Sequence, residues 1–383
     1  MIKYNINKNK DLLIVFTGFF ILFLIIMYWV GWQSDLPAHV QIAKEKLENK
    51  DYFSGNFLMY TLLNLFSGFS GHRNVMKIVL CLMLSLATAL KYGIVRDIFR
   101  QLTIYKYAKW VAVSLIFVYI IPMLYFLKPF SPFLYSGNLY FGYYVPNVWH
   151  NSTIIFLFPF ALWLYFLSLK QLKNFNNITN IKMIVLVAIN IFIKPSFFFV
   201  FMCAYPVMLL IKYGIKIYFW KGMFPIFFGI LCLIIEYISI YNQASDGSSV
   251  VLLFDPVISM QFWKSKILYL LISLAFPFFY FVTHFNKCIS DDEFLYVLLL
   301  IIAALGIFFV CYETGPRATH GNFYWQIVIS MWLSFYYVVK NNLKDYMENG
   351  MTLLNKITNV LYSIHVIFGL IYLANILITK TYY

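Results

Sequence analysis

Asp35 and His39 stand four positions apart in GWQSDLPAHVQIAKE, residues 31–45, directly after a run (Leu13 to Val30) in which 17 of 18 residues are apolar or glycine. A carboxylate and an imidazole one helical turn apart are neighbours on a helix surface. A carboxylate at a lipid boundary is costly without a partner or a task. Low solvent exposure also raises a carboxyl pKa toward what a general base needs. The plainer alternative makes Asp35 a helix cap and His39 an incidental surface residue. Ser34-Asp35-Leu36-Pro37 has the form of a helix start, a capping acid with proline in the first turn. Leu36, Val40, Ala43 and Leu47 then recur at helical spacing, which predicts a helix lying flat on the membrane, Asp35 and His39 beside its apolar stripe.

Other chemistry-bearing residues gather in a few stretches. YETGPRATHGNF (312–323) crowds Glu313, Arg317 and His320 into eight residues. Gly315-Pro316 and Gly321-Asn322 are turn dipeptides, so a polar turn explains the glycines and the proline but not the three ionisable groups. An arginine fork suits phosphate or another acidic substrate. VPNVWHNST (145–153) offers Trp149, His150 and Asn151, although an interfacial aromatic belt accounts equally well for the tryptophan. Lys194-Pro195 interrupts the apolar stretch INIFIKPSFFFVF, where a snorkelling lysine beside a kink is the structural alternative. Glu236 lies inside an apolar run and marks either a helix–helix hydrogen bond or a polar channel.

The elements that must position these residues are membrane spans. Hydrophobic residues make up 62% of the 383-residue chain and charged residues 11%, against roughly 25% charged in soluble domains. The first apolar stretch is too long for a signal-peptide core and no small-residue cleavage site follows, so it is expected to remain as an anchor. Five scattered cysteines give neither a disulfide framework nor a metal motif. Apolar runs predict an all-α polytopic membrane protein, one domain over 1–383. Its eleven transmembrane helices lie near 12–31, 76–94, 110–127, 151–169, 183–193, 196–211, 222–240, 266–283, 294–311, 322–339 and 357–378. Residues 183–211 read either as one kinked helix or as two short ones, and the choice reverses everything downstream. Two short helices with a cytoplasmic N-terminus place 18 lysines and arginines inside and 11 outside, together the chain's 29, with 91–109 and 212–221 both cytoplasmic. One long helix gives 15 against 13, with Lys194 buried. The first arrangement is preferred. It makes 32–75 a structured outer loop, with FLMYTLLNLF (57–66) too short to span, and makes 312–321 an outer polar loop. The net charge of +14 then reflects topology and anionic-lipid contact rather than a nucleic-acid surface.

An anchor ending in SDLPAH, a surface helix, an apolar dip and many further spans resemble the GT-C superfamily of membrane glycosyltransferases. The resemblance covers the overall architecture and most of the first hundred residues. It departs from many members in having no paired DD or ED and no soluble C-terminal domain, which leaves metal dependence open. It implies a GT-C-like fold in the inner or plasma membrane, with the active site outside the cytoplasm. It also implies sugar transfer from a polyprenyl-phosphate-linked donor to a glycan or lipid-linked acceptor, in bacterial surface polysaccharide or glycolipid assembly. Asp35, with His39, would take the acceptor's proton, or Asp35 would hold a divalent metal. Arg317, with Lys194 or His320, would offset the departing phosphate. Glu313 would orient Arg317, Trp149 would stack on a sugar, and His150 and Asn151 would line the site. The alternatives are a repeat-unit polymerase or ligase of the same superfamily, a transporter or flippase of lipid-linked sugars, and, more remotely, an acyltransferase built on His284.

Overall fold

In lipid every backbone polar group must be satisfied inside the protein, so apolar runs of this length fold as helices. The computed structural model describes residues 10–49, 55–102, 107–120, 144–241, 249–252, 266–315 and 321–380. Helix α1 (Lys10–Ile25) ends in a π turn (Ile26–Val30) and a 3-10 turn (Gly31–Gln33), followed by α2 (Asp35–Glu48), α3 (Phe57–Phe66), α4 (Arg73–Gln101) and α5 (Ala108–Phe117). Next come α6 (Ser152–Lys173), α7 (Asn177–Ile193), α8 (Ser196–Tyr213) and α9 (Ile217–Tyr241). Strand β1 (Val250–Leu252), α10 (Lys266–Thr283), the short α11 (Phe285–Ile289), α12 (Asp292–Val310), β2 (Cys311–Glu313), α13 (Trp325–Asn349) and α14 (Leu353–Thr379) complete the chain. Among the described residues, seven helices are long and apolar enough to cross a membrane. The chain is thus an all-α polytopic membrane protein.

Residues 183–211 form two helices, not one. Proline disfavours helical backbone in the residue before it, and Lys194 is extended, with φ −170° and ψ 121°. Neighbours along α9 give the directions. Near its start, Asn180 Nδ2 donates to Lys221 O at 2.8 Å, and a side chain at Gly222 would meet Leu209. Farther on, one at Gly229 would meet Val187 and Phe198. Thus α7 is met in ascending order and α8 in descending order, and the chain reverses at Lys194-Pro195.

The third apolar run departs from expectation. Its helix, α5, stops at Phe117 instead of continuing to 127; residues 121–127 lie outside the described residues. Interior partners satisfy the backbone at this break. Trp332 Nε1 donates to Leu115 O at 2.8 Å, and Asn147 Nδ2 donates to Val118 O at 2.7 Å. His365 Nδ1 donates to Tyr119 O at 2.6 Å, and Tyr119 N donates to His365 O at 3.2 Å. Residues 144–151 are likewise non-helical, yet buried throughout. Asn147 holds this segment from a second side, accepting a 2.8 Å hydrogen bond from Lys91 Nζ. Lys91, counted from the sequence with a cytoplasmic stretch, is instead buried over the rings of Phe158 (3.5 Å) and Trp332 (4.8 Å). Its four-carbon stem follows α4 into the bundle, where aromatic faces favour the cation.

Ionic contacts concentrate at the end where the chain starts: Arg96–Asp11 at 2.9 Å, and the pairs Lys212–Asp292, Lys287–Asp345 and Lys340–Glu293. At the other end α2 lies over the bundle with Leu36, Val40 and Ala43 of its stripe buried. Asn64 Nδ2 of α3 donates to Ala43 O at 3.0 Å, and Glu236 of α9 accepts from the Asn56 backbone ahead of α3. The ambiguous Glu236 is therefore an anchor for the start of α3.

Helix α14 crosses the end of α5 at Gly369, where an added Cβ would fall 1.5 Å from Phe117 O. Gly369→Ala is expected to cost about 1–3 kcal/mol by overpacking. Gly306→Ala in α12, with open space at its Cβ, should gain up to about 1 kcal/mol in helix propensity. Thermal unfolding of the detergent-solubilised protein reads both, and equal shifts would contradict the crossing.

Candidate functional site

The bend after α1 delivers Asp35 to the mouth of α6. Ser34, not Asp35, occupies the capping position of α2, and its hydroxyl turns back to Gly31 O at 2.8 Å. Asp35 becomes the first helical residue, and its backbone N–H donates to His150 O at 3.3 Å. This contact joins the start of α2 to the buried 144–151 segment. One turn along α2, His39 Nδ1 shares a 2.7 Å hydrogen bond with the Tyr60 hydroxyl of α3.

Lys194 reaches the same place from the α7–α8 turn. It is 7% exposed, and Nζ donates to Thr153 Oγ1 at 3.2 Å. Thr153 donates in turn to Asn151 Oδ1 at 2.8 Å, the oxygen that also caps α6 by accepting from Ile154 N at 3.0 Å. The ammonium sits 5.2 Å from the Trp325 ring centre, and the same ring meets His150 edge-on at 5.8 Å. Glu313 enters from β2, whose antiparallel pairing with β1 sets Val250 opposite it. Asn322 Nδ2 donates to its carboxylate at 2.5 Å.

These charges act on one another in a water-poor recess. Burial raises the Asp35 carboxyl above its ordinary value, and Lys194 opposes the rise. Burial lowers Lys194 to about 8, against the upward pull of Asp35 and Glu313. His39 and His150 are both pushed down to about 3 by burial and by Lys194. At neutral pH both imidazoles are therefore uncharged hydrogen-bonding groups, and Lys194 is the cation. A half-buried carboxylate with a raised pKa can accept a proton, and the ammonium beside it can stabilise a nearby anion.

Of the residues singled out from the sequence, Asp35, His39, His150, Asn151, Lys194 and Glu313 converge here. Arg317 and His320 lie outside the described residues. Trp149 is elsewhere: it is buried against Phe19 and Phe117, each ring centre 5.8 Å away, so packing occupies its faces rather than a sugar. Trp325 and Thr153 were not anticipated. Thr153 is the last residue of Asn151-Ser152-Thr153, and its hydroxyl links the lysine to the helix cap. Among the described residues no three of His, Cys, Asp and Glu converge as metal ligands. Among the described residues, the Lys194 ammonium already supplies positive charge to Asp35.

No family model matches the chain, and no curated protein is similar to it in sequence.

Lys194→Met removes the cation facing Asp35 and Glu313 and is expected to cost about 3 kcal/mol, as for breaking a buried charge interaction. Adding Glu313→Gln should recover part of that loss, because one unopposed carboxylate is gone. Chemical denaturation of the two variants checks this; strictly additive losses would show that the residues do not interact.

Proposed function

We propose that this protein is a GT-C-like membrane glycosyltransferase that takes a sugar from a polyprenyl-phosphate-linked donor at the extracytoplasmic face. The acceptor is a glycan or lipid-linked hydroxyl. The reading includes eleven spans, a cytoplasmic N-terminus and an outer C-terminus. It is supported by the chain reversal at Lys194-Pro195 and by the lysine-rich end that carries Asp11 and Arg96. The single observation that carries the chemical reading is the convergence of Asp35, bonded through its N–H to His150, and Lys194, bonded through Thr153 to Asn151, in one recess where α1 ends.

In the proposed reaction Asp35 accepts the proton of the acceptor hydroxyl. That oxygen forms the new bond to the anomeric carbon while the bond from the same carbon to the lipid phosphate oxygen breaks. The phosphate leaves with the electron pair and needs no general acid. Lys194 offsets its charge, with Arg317 from the 312–321 loop as the second cation. His39 and His150, uncharged, orient hydroxyl groups, while Glu313 holds Lys194 in its charged form.

Asp35→Asn, expressed at normal level, should lower transfer from a polyprenyl-phosphate sugar about 10²-fold or more; full activity would remove Asp35 from the mechanism. The kcat/KM profile should fall on the acid side above the ordinary aspartate value of 3.8, as Asp35 takes up its proton. It should fall again near pH 8, as Lys194 loses its charge. Lys194→Arg should carry that alkaline limb upward, because arginine keeps its proton.

A second reading, a flippase or transporter of lipid-linked sugars, draws support from the buried non-helical segment 144–151 and from Lys91 inside the bundle. Reconstitution in sealed vesicles separates the two. Donor reorientation without a new glycosidic bond favours transport, and product formation favours transfer.

A further inference from the structure

The close crossing of α14 over the end of α5 has a geometric consequence. From Gly369 toward the basic end the two helices diverge, opening a cleft of about 410 Å³ on the outside of the bundle. Its size falls in the range of sites for small ligands, roughly 300–1,000 Å³. Val111, Leu343 and Val366 form apolar walls. The Ser114 and Tyr362 hydroxyls satisfy each other at 2.8 Å, so that polar pair makes no demand on an apolar occupant. Tyr107 and Trp110, 42% and 76% exposed, line the opening, and amphipathic rings of this kind favour the lipid headgroup region. Lys356 lies two helical turns from Ser363 on the same stripe of α14 and is exposed at the cleft's end. Lys344 follows the lining residue Leu343.

We infer that this cleft binds one acyl chain of an anionic phospholipid, with the headgroup phosphate on Lys356. A tapered apolar slot with interfacial aromatics and a cation at its open end matches an acyl chain continuous with a phosphate. A zwitterionic lipid would gain the chain contacts but less from the basic rim. The site is separate from the recess around Asp35, at the opposite end of the bundle, and does not depend on the reaction proposed there.

Phospholipids brominated on the acyl chain test this in nanodiscs holding the full chain. Quenching of Trp110 is read as the difference between the unaltered protein and Trp110→Phe. Brominated phosphatidylglycerol should quench Trp110 beyond its bulk fraction, and brominated phosphatidylcholine should do so less. Lys356→Gln should reduce that preference about fivefold, and Ser363→Phe, which fills the cleft from an exposed position, should remove the excess quenching for both lipids. Equal quenching by the two lipids, or excess quenching that survives Ser363→Phe, overturns the assignment.

Discussion

A peptide group inside a bilayer has no water to bond with, and this requirement governs the interior of the protein. Helix α5 breaks in the bundle, and eight residues before α6 run non-helically through the core. At the end of α5, Asn147, Trp332 and His365 take up the released carbonyls, while in the 144–151 segment Tyr144 N donates to Ser273 Oγ and His150 O accepts from Asp35 N. Asn147 is held from two directions, its Nδ2 donating to the backbone at the end of α5 and its Oδ1 accepting from the Lys91 side chain. That orientation fixes the segment whose far end presents His150 and Asn151. The geometry of the recess around Lys194 thus follows from hydrogen-bond accounting deeper in the membrane.

Charge is arranged differently at the two ends. Near Asp11 and Asp345, acids and bases meet in contact pairs that staple helices together. In the opposite recess, among the described residues, the Lys194 ammonium acts on two carboxylates and two uncharged imidazoles without a contact ion pair. Contact pairs hold structure. The Lys194 ammonium instead donates to the neutral Thr153 hydroxyl, while its field reaches both carboxylates.

Much of this was legible in the sequence because its signals are local. Apolar runs located the helices, the Lys194-Pro195 pair located the reversal, and the spacing of Leu36, Val40 and Ala43 gave the buried stripe of α2. What escaped depends on residues far apart in the chain. The early end of α5 is stabilised by Trp332 and His365, more than 200 positions away. An interfacial tryptophan and a core tryptophan look alike in sequence, so Trp149 drew attention that belonged to Trp325. Lys91 had the appearance of a loop lysine because a run of apolar residues does not show which face turns inward. Glu236 stayed ambiguous for a related reason: its partner is a backbone N–H, which no side-chain pattern reveals.

The contact pairs also bear on how the chain matures. Asp11 with Arg96 joins α1 to α4, which follow each other closely in sequence, while Lys287 and Asp345 join α11 to α13. Each half can therefore close on itself as it is inserted. The recess cannot, since it draws on residue 35, residues 150–153, residue 194 and residue 313. The recess therefore takes shape only where helices from distant parts of the chain have docked on one another.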